Sequence, residues 1–250
     1  MRRALLQLIS LFVLTVGLAL NAQAQSAGPL AGKVFGGGNA GLVVVLHGDV
    51  SSGGAADYHY DIAQKIASQN KGVTVLAMLR PGYSDGMGQK SKGSNNQRRD
   101  HYTKQNNKLV AQTIQAMAKQ VGTSKIVAIG HSGGAAQLGV IIGAHPNLVD
   151  SAILVSCPCD IPRWRAMKGR KNWTKSQSPH KFTSKVPTST RVIAITGNKD
   201  DNTNPVLAQD YVAALRAKGV QAQFISANGA SHGFNAMASL VAKSAKQSLR

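Results

Sequence analysis

Short unbroken apolar runs alternate along this chain with stretches in which apolar residues recur every three to four positions. Runs at 42–46, 73–79, 125–129, 149–156, 191–196 and 220–226 predict strands, and the periodic stretches 55–69, 102–121, 132–144, 205–218 and 232–247 predict helices. Strands that are apolar along their whole length must be buried on both faces. Joined by helices, they predict a parallel sheet of about six strands with helices on both sides, an α/β architecture. Two stretches break the rhythm. Residues 80–99 are polar and glycine-rich, and residues 157–187 lack strong periodicity, which predicts an insertion between two strands.

The first residues stand apart from this pattern. Arg2 and Arg3 precede an apolar run from Ala4 to Leu20, and Ala22-Gln23-Ala24 supplies small residues where a signal peptidase would cut. Residues 1–24 therefore read as a signal peptide, and the mature protein as exported, periplasmic or secreted. Residues 25–40, rich in Gly, Ala, Ser and Gln, predict a flexible lead-in to a domain spanning 41–250.

Composition narrows the classes further. At 250 residues, 43% hydrophobic and with 26 glycines, the chain is neither disordered, collagenous nor a disulfide scaffold. No glycine spacing matches a dinucleotide or P-loop fingerprint, so no nucleotide cofactor is expected. Cys157 and Cys159 flank Pro158; in an oxidising compartment they form a short-range disulfide or stay free, and without nearby His they make a poor metal set. His59, His101, His145 and His180 lack metal-ligand spacing and are expected in solvated or capping roles. The charge is unusual: Lys+Arg 29 against Asp+Glu 10 gives +19, which on its own suggests an anionic partner.

Candidate chemistry centres on the strand 126–130, which runs through His131 into Ser132, Gly133, Gly134 and a helix. This is a G-x-S-x-G pattern in strand–turn–helix context. A serine hydroxyl is a weak nucleophile at neutral pH and needs an adjacent base, itself held by an acid. Asp200 follows the strand 191–196 within Gly197-Asn198-Lys199-Asp200-Asp201-Asn202. His232 follows the last strand within Ser231-His232-Gly233-Phe234. After the first strand comes His47-Gly48-Asp49.

These motifs, in the order Ser, Asp, His, resemble the α/β-hydrolase superfamily. The stretch from Ser178-Pro179 to Phe234 is more similar to its prolyl oligopeptidase-like branch. The resemblance implies a serine hydrolase working through an acyl-enzyme, with Ser132 as nucleophile, His232 as base and Asp200, rather than Asp201, as acid. It also implies an oxyanion hole from the N–H of Gly133 and that of Asp49 or Val50, with the Asp49 carboxylate turned away. Arg80-Pro81-Gly82-Tyr83-Ser84 resembles a structural turn of the superfamily, with Arg80 bracing and Tyr83 bordering the pocket. Trp164 and Trp173 line the pocket or pack the insertion onto the body. His131 packs beneath the nucleophile turn, and His47 serves loop structure. No metal or other cofactor is required.

An ester is the first substrate choice and a peptide the alternative. A basic envelope-binding protein with a vestigial triad is the rival of another class. Residues 89–108 carry six basic side chains against Asp100, and residues 161–191 carry nine and no acid. Both segments leave the carboxyl ends of strands. The excess charge therefore reads as a positive collar around a hydrolase mouth, favouring small substrates, anionic ones among them, over nucleic acid, with association to an anionic envelope surface as a second use.

Overall fold

In the run Gly41–Leu46 every residue is buried, as a strand covered on both faces requires. The computed structural model describes residues 26–250; the expected signal peptide, residues 1–24, lies outside them. Strands β1 (Gly32–Gly36), β2 (Gly41–Leu46), β3 (Val73–Met78), β4 (Ile126–His131), β5 (Ser151–Val155), β6 (Arg191–Gly197) and β7 (Ala222–Ala227) form one sheet in the order β1-β3-β2-β4-β5-β6-β7. β2 to β7 pair in parallel, and β1 runs antiparallel to β3 at the edge.

Alternate side chains of each strand feed two cores. Leu42, Val44 and Leu46 face helices α2 (Lys104–Val121), α3 (Gly133–Ala144) and α5 (Val206–Ala217). Val43 and Val45 face α1 (Tyr60–Gln69) and α6 (Ala238–Ser248). Each Leu or Ile so buried contributes roughly 1.5–3 kcal/mol, which fixes the strand register that aligns the sheet's carboxyl edge.

The architecture corrects two expectations and adds detail to a third. The segment 25–40 is not a flexible lead-in from Ser26 onward, because Gly32–Gly36 completes a seventh strand. Val34 of that strand enters one core, and the Phe35 ring packs edge-on to Tyr60 at 6.1 Å. Flanking glycines masked the two apolar residues, Val34 and Phe35, that pack on either face there. The insertion is not featureless: Ile161–Met167 forms α4, capped by Asp160, whose Oδ1 accepts from the Arg163 N–H, and a 3-10 turn spans Pro179–Lys185. His59 and His101 are buried rather than solvated or capping; His59 Nε2 lies 3.1 Å from the Met78 carbonyl.

The insertion is sewn to the loop after β3. Asp100 accepts from the N–H of Ser176 at 2.8 Å, Gln177 N–H donates to the Tyr102 carbonyl at 2.9 Å, and Tyr102 N–H donates to Ser176 Oγ at 3.1 Å. Cys157 and Cys159, both buried, form a disulfide at the insertion's start.

Candidate active site

Six connections supply the site, each leaving the carboxyl end of a parallel strand, where open α/β sheets place their ligands. β4 ends at His131, and the chain reverses at Ser132 with φ +52° and ψ −116°, a conformation costly for a residue with a side chain. The turn is held by Ser132 N–H donating to the Val155 carbonyl at 2.8 Å. It is possible only because Gly130 and Gly134 flank it: a Cβ at Gly130 would lie 2.5 Å from the Gly134 carbonyl, and one at Gly134 2.5 Å from that of His47.

The structure brings Ser132, His232 and Asp200 together. Ser132 Oγ lies 3.0 Å from His232 Nε2, and His232 Nδ1 lies 3.0 and 2.9 Å from the two Asp200 oxygens. The Asp200 side chain is fully buried, whereas the His232 ring is partly open to solvent. Asp200 also accepts from the N–H of Asn202 and Thr203 at 3.0 and 2.8 Å and from the Thr203 hydroxyl at 2.7 Å. Burial raises its pKa, but His232 and the Thr203 donors outweigh that and hold it down at about 2. Asp201 is exposed. An anionic carboxylate fixed on Nδ1 sets the imidazole tautomer whose Nε2 is free to take a proton from Oγ.

His131 is held on both nitrogens. Nδ1 lies 2.6 Å from the Tyr58 hydroxyl, Nε2 donates to the His232 carbonyl at 2.9 Å, and the ring stacks on Phe234 at 4.9 Å. Burial first, and then the nearby His232, lower its pKa to about 4, so it is neutral at physiological pH. The Tyr58 hydroxyl in turn accepts from the N–H of Gly48.

Beneath the loop after β2 lies a buried ionic cluster. Arg80, wholly inaccessible, donates from Nη1 to Asp49 Oδ1 at 2.9 Å and to the His47 carbonyl at 3.2 Å, and from Nε to Gln137 at 2.6 Å. Tyr102 donates to the other Asp49 oxygen, and His101 Nε2 lies 3.4 Å from Oδ1. Burial pushes the Asp49 carboxyl up, but His101 and Arg80 together hold it well below the usual carboxylate range. Asp49 thus turns inward, and its charge is neutralised in place. His47 Nε2 accepts from the Arg80 N–H at 2.9 Å.

Among the described residues the backbone N–H groups of Asp49, Val50 and Gly133 have no hydrogen-bond acceptor. Val50 has φ +46°, rare for a β-branched residue. Its carbonyl is held by Arg98 Nη1 and by Gly53 N–H, the latter at 3.0 Å.

A cavity of about 800 Å³ opens above Ser132. Gly48, Asp49, Val50, Tyr58 and His131 line one part of it, and Trp164 and Trp173 another. The two indole rings meet edge to face at 5.3 Å, and Trp164 Nε1 donates to the Asn202 carbonyl at 2.8 Å. Asn202 Nδ2 is 3.2 Å from His232 Nε2. Tyr83 does not border the cavity: it is buried, and its hydroxyl donates to the Asp49 carbonyl at 2.8 Å, which makes it a brace of the loop after β2.

Sequence reasoning missed Tyr58, Asn202 and the Asp49–Arg80 pairing. Only the adjacency of Asn202 to Asp200 offered a signal.

A parallel sheet carrying a strained serine turn, with a histidine and a buried aspartate on neighbouring loops, defines an α/β-hydrolase, and the molecule is a serine hydrolase. The chain belongs to the prolyl oligopeptidase family, which matches residues 58–249. No curated protein sequence matches it. Among solved structures it is similar to a monoacylglycerol lipase of Paleococcus ferrophilus (15% identity, 88% of this chain and 98% of that one, TM-score 0.63). It is likewise similar to Est1E of Butyrivibrio proteoclasticus with ferulic acid bound (16%, 87% and 93%, 0.63). A third is the proline iminopeptidase of Mycobacterium smegmatis (14%, 90% and 97%, 0.65). At these identities the likeness is one of fold.

Proposed function

We propose that the protein is an exported carboxylester hydrolase acting through Ser132, His232 and Asp200. The observation that carries this reading is the unbroken chain of hydrogen-bond distances from Ser132 Oγ through His232 to Asp200 at the floor of the cavity. As Oγ bonds the ester carbonyl carbon, His232 Nε2 takes the hydroxyl proton, and Asp200 stabilises the resulting imidazolium. The N–H of Gly133 and that of Asp49 or Val50 receive the oxyanion, each donor typically worth a few kcal/mol in the transition state. The imidazolium then protonates the leaving alcohol. Water, deprotonated by His232, releases the acyl group and returns the proton to Ser132.

Preference for esters over peptides is supported by the lining. Its single carboxylate, Asp49, is already paired with Arg80, so a substrate amino terminus would find guanidinium groups and no free acid. Export is supported by the signal-like residues 1–24 and by the Cys157–Cys159 disulfide.

The test is a panel of 4-nitrophenyl esters and aminoacyl anilides, with fluorophosphonate labelling alongside. Ester turnover and labelling are expected for the native protein, and both should vanish in Ser132→Ala. Labelling that persists in that variant, or none in the native protein, sinks the assignment; anilides hydrolysed faster than esters select the peptidase reading. Amino-terminal sequencing of protein recovered outside the cytoplasm should start near Gln25, and an intact Met1 there would overturn export through a cleaved signal.

A further inference from the structure

Arginine side chains crowd the mouth of this cavity, and they differ in what holds them. Arg98 is committed to the Val50 and Gly54 carbonyls. Arg165 donates from Nε to the Lys171 carbonyl at 3.0 Å, and its guanidinium lies 5.5 and 5.0 Å from the ring centres of Trp164 and Trp173. Arg99 and Arg170 line the same cavity and are exposed, and their side chains form no hydrogen bond or ion pair among the described residues.

The carboxylates within reach are taken. Asp49 serves Arg80 and Tyr102, and Asp100 accepts from the N–H groups of Lys175 and Ser176. After partial burial, the largest influence lowering the pKa of Arg165 is Arg170, and Arg99 adds to it. The Arg165 guanidinium therefore feels the charge of the other two, against an opposing influence from Asp100.

Like charges gathered on a concave surface repel, and an anion seated among them relieves that repulsion while accepting paired N–H bonds. We propose that this cavity takes esters bearing a second, anionic group, a carboxylate or a phosphate, which Arg99 and Arg170 bind while Ser132 attacks the ester carbonyl. Trp164 and Trp173, with Arg165 stacked on them, form the apolar wall between the two ends of such a substrate. The inference rests on the proposed role of Ser132 and adds the class of molecule that reaches it.

The test compares mono-4-nitrophenyl adipate with 4-nitrophenyl hexanoate, which share an acyl length and differ by one carboxylate. Two charge-assisted bonds predict a kcat/KM about tenfold or more higher for the adipate at low salt. The ratio should fall towards one in Arg99→Gln/Arg170→Gln and in high salt. Lys243→Gln/Lys246→Gln, which removes as much charge from exposed sites on α6, should keep it. Adipate turned over no faster than hexanoate overturns the anion seat and leaves Ser132 standing. Equal loss of the ratio in the lysine variant also overturns the seat, reducing the effect to net charge. If neither ester is turned over and Ser132 resists fluorophosphonate, the hydrolase reading fails first and the seat with it. Competition by phenyl phosphate against benzoate assigns the seat to phosphate or carboxylate by whichever binds tighter, and competition by neither overturns it.

Discussion

Tyr58 Oη lies 2.6 Å from His131 Nδ1 and also accepts the N–H of Gly48, so a single hydroxyl joins the loop after β2 to the residue that holds the His232 backbone. The loop that offers backbone N–H groups and the loop that carries the imidazole are thereby fixed relative to one another. Tyr58→Phe keeps the ring against Phe234 and removes only this link. Its expected effect is a fall of about tenfold in kcat with KM little changed, and a loss of about 1–2 kcal/mol in unfolding free energy. Steady-state kinetics on a 4-nitrophenyl ester decides it; a change confined to KM would make Tyr58 a pocket residue instead.

Arg80 and Asp49 form a buried pair whose members cannot be removed singly without leaving the other's charge buried and unpaired. Arg80→Met strands the Asp49 carboxylate and is expected to cost about 3–5 kcal/mol. The double variant Arg80→Met/Asp49→Asn, which removes both charges, should recover more than half of that. Urea unfolding of the native protein, Arg80→Met, Asp49→Asn and the double variant measures the coupling, and additive losses would show that the pair does not act as a unit.

Asp200 ties stability to pH. Its carboxyl sits at about 2 in the folded chain against an ordinary 3.8, so the anion stabilises the fold above about pH 4, and that contribution is lost as the pH falls towards 2. The native protein and Asp200→Asn should therefore differ in melting temperature at neutral pH, and the difference should shrink below about pH 4 and close as the pH reaches about 2. A constant difference across that range would mean that the anion contributes nothing to the fold. At neutral pH the same substitution, by freeing the imidazole tautomer, is expected to lower kcat by about 10³ or more.

The sheet and the reacting groups were legible in the sequence for a simple reason. A strand buried on both faces leaves an unbroken apolar run, as at Leu42–Leu46, and parallel strands put every following loop on one rim. Ser132, Asp200 and His232 then needed only their place after β4, β6 and β7 to meet. What stayed hidden were pairings between single residues far apart in the chain. Tyr58 with His131 and Asp49 with Arg80 leave no periodic trace, and the edge strand at Gly32–Gly36 is too short and glycine-rich to announce itself. Tyr83 shows the opposite error: a tyrosine beside a turn looks available to a ligand until its hydroxyl is found bonded to the Asp49 carbonyl.

The bond from Trp164 Nε1 to the Asn202 carbonyl carries one more implication. Asn202 donates its backbone N–H to Asp200, and its amide lies 3.2 Å from His232, so the tryptophan wall of the cavity and the imidazole proposed as base share a buttress. On the proposed function, selectivity and turnover would then be one inherited trait rather than two. A graft that exchanges the insertion for that of another hydrolase must bring its own support for the imidazole, and drift in the pocket wall is constrained by the speed of the chemistry below it.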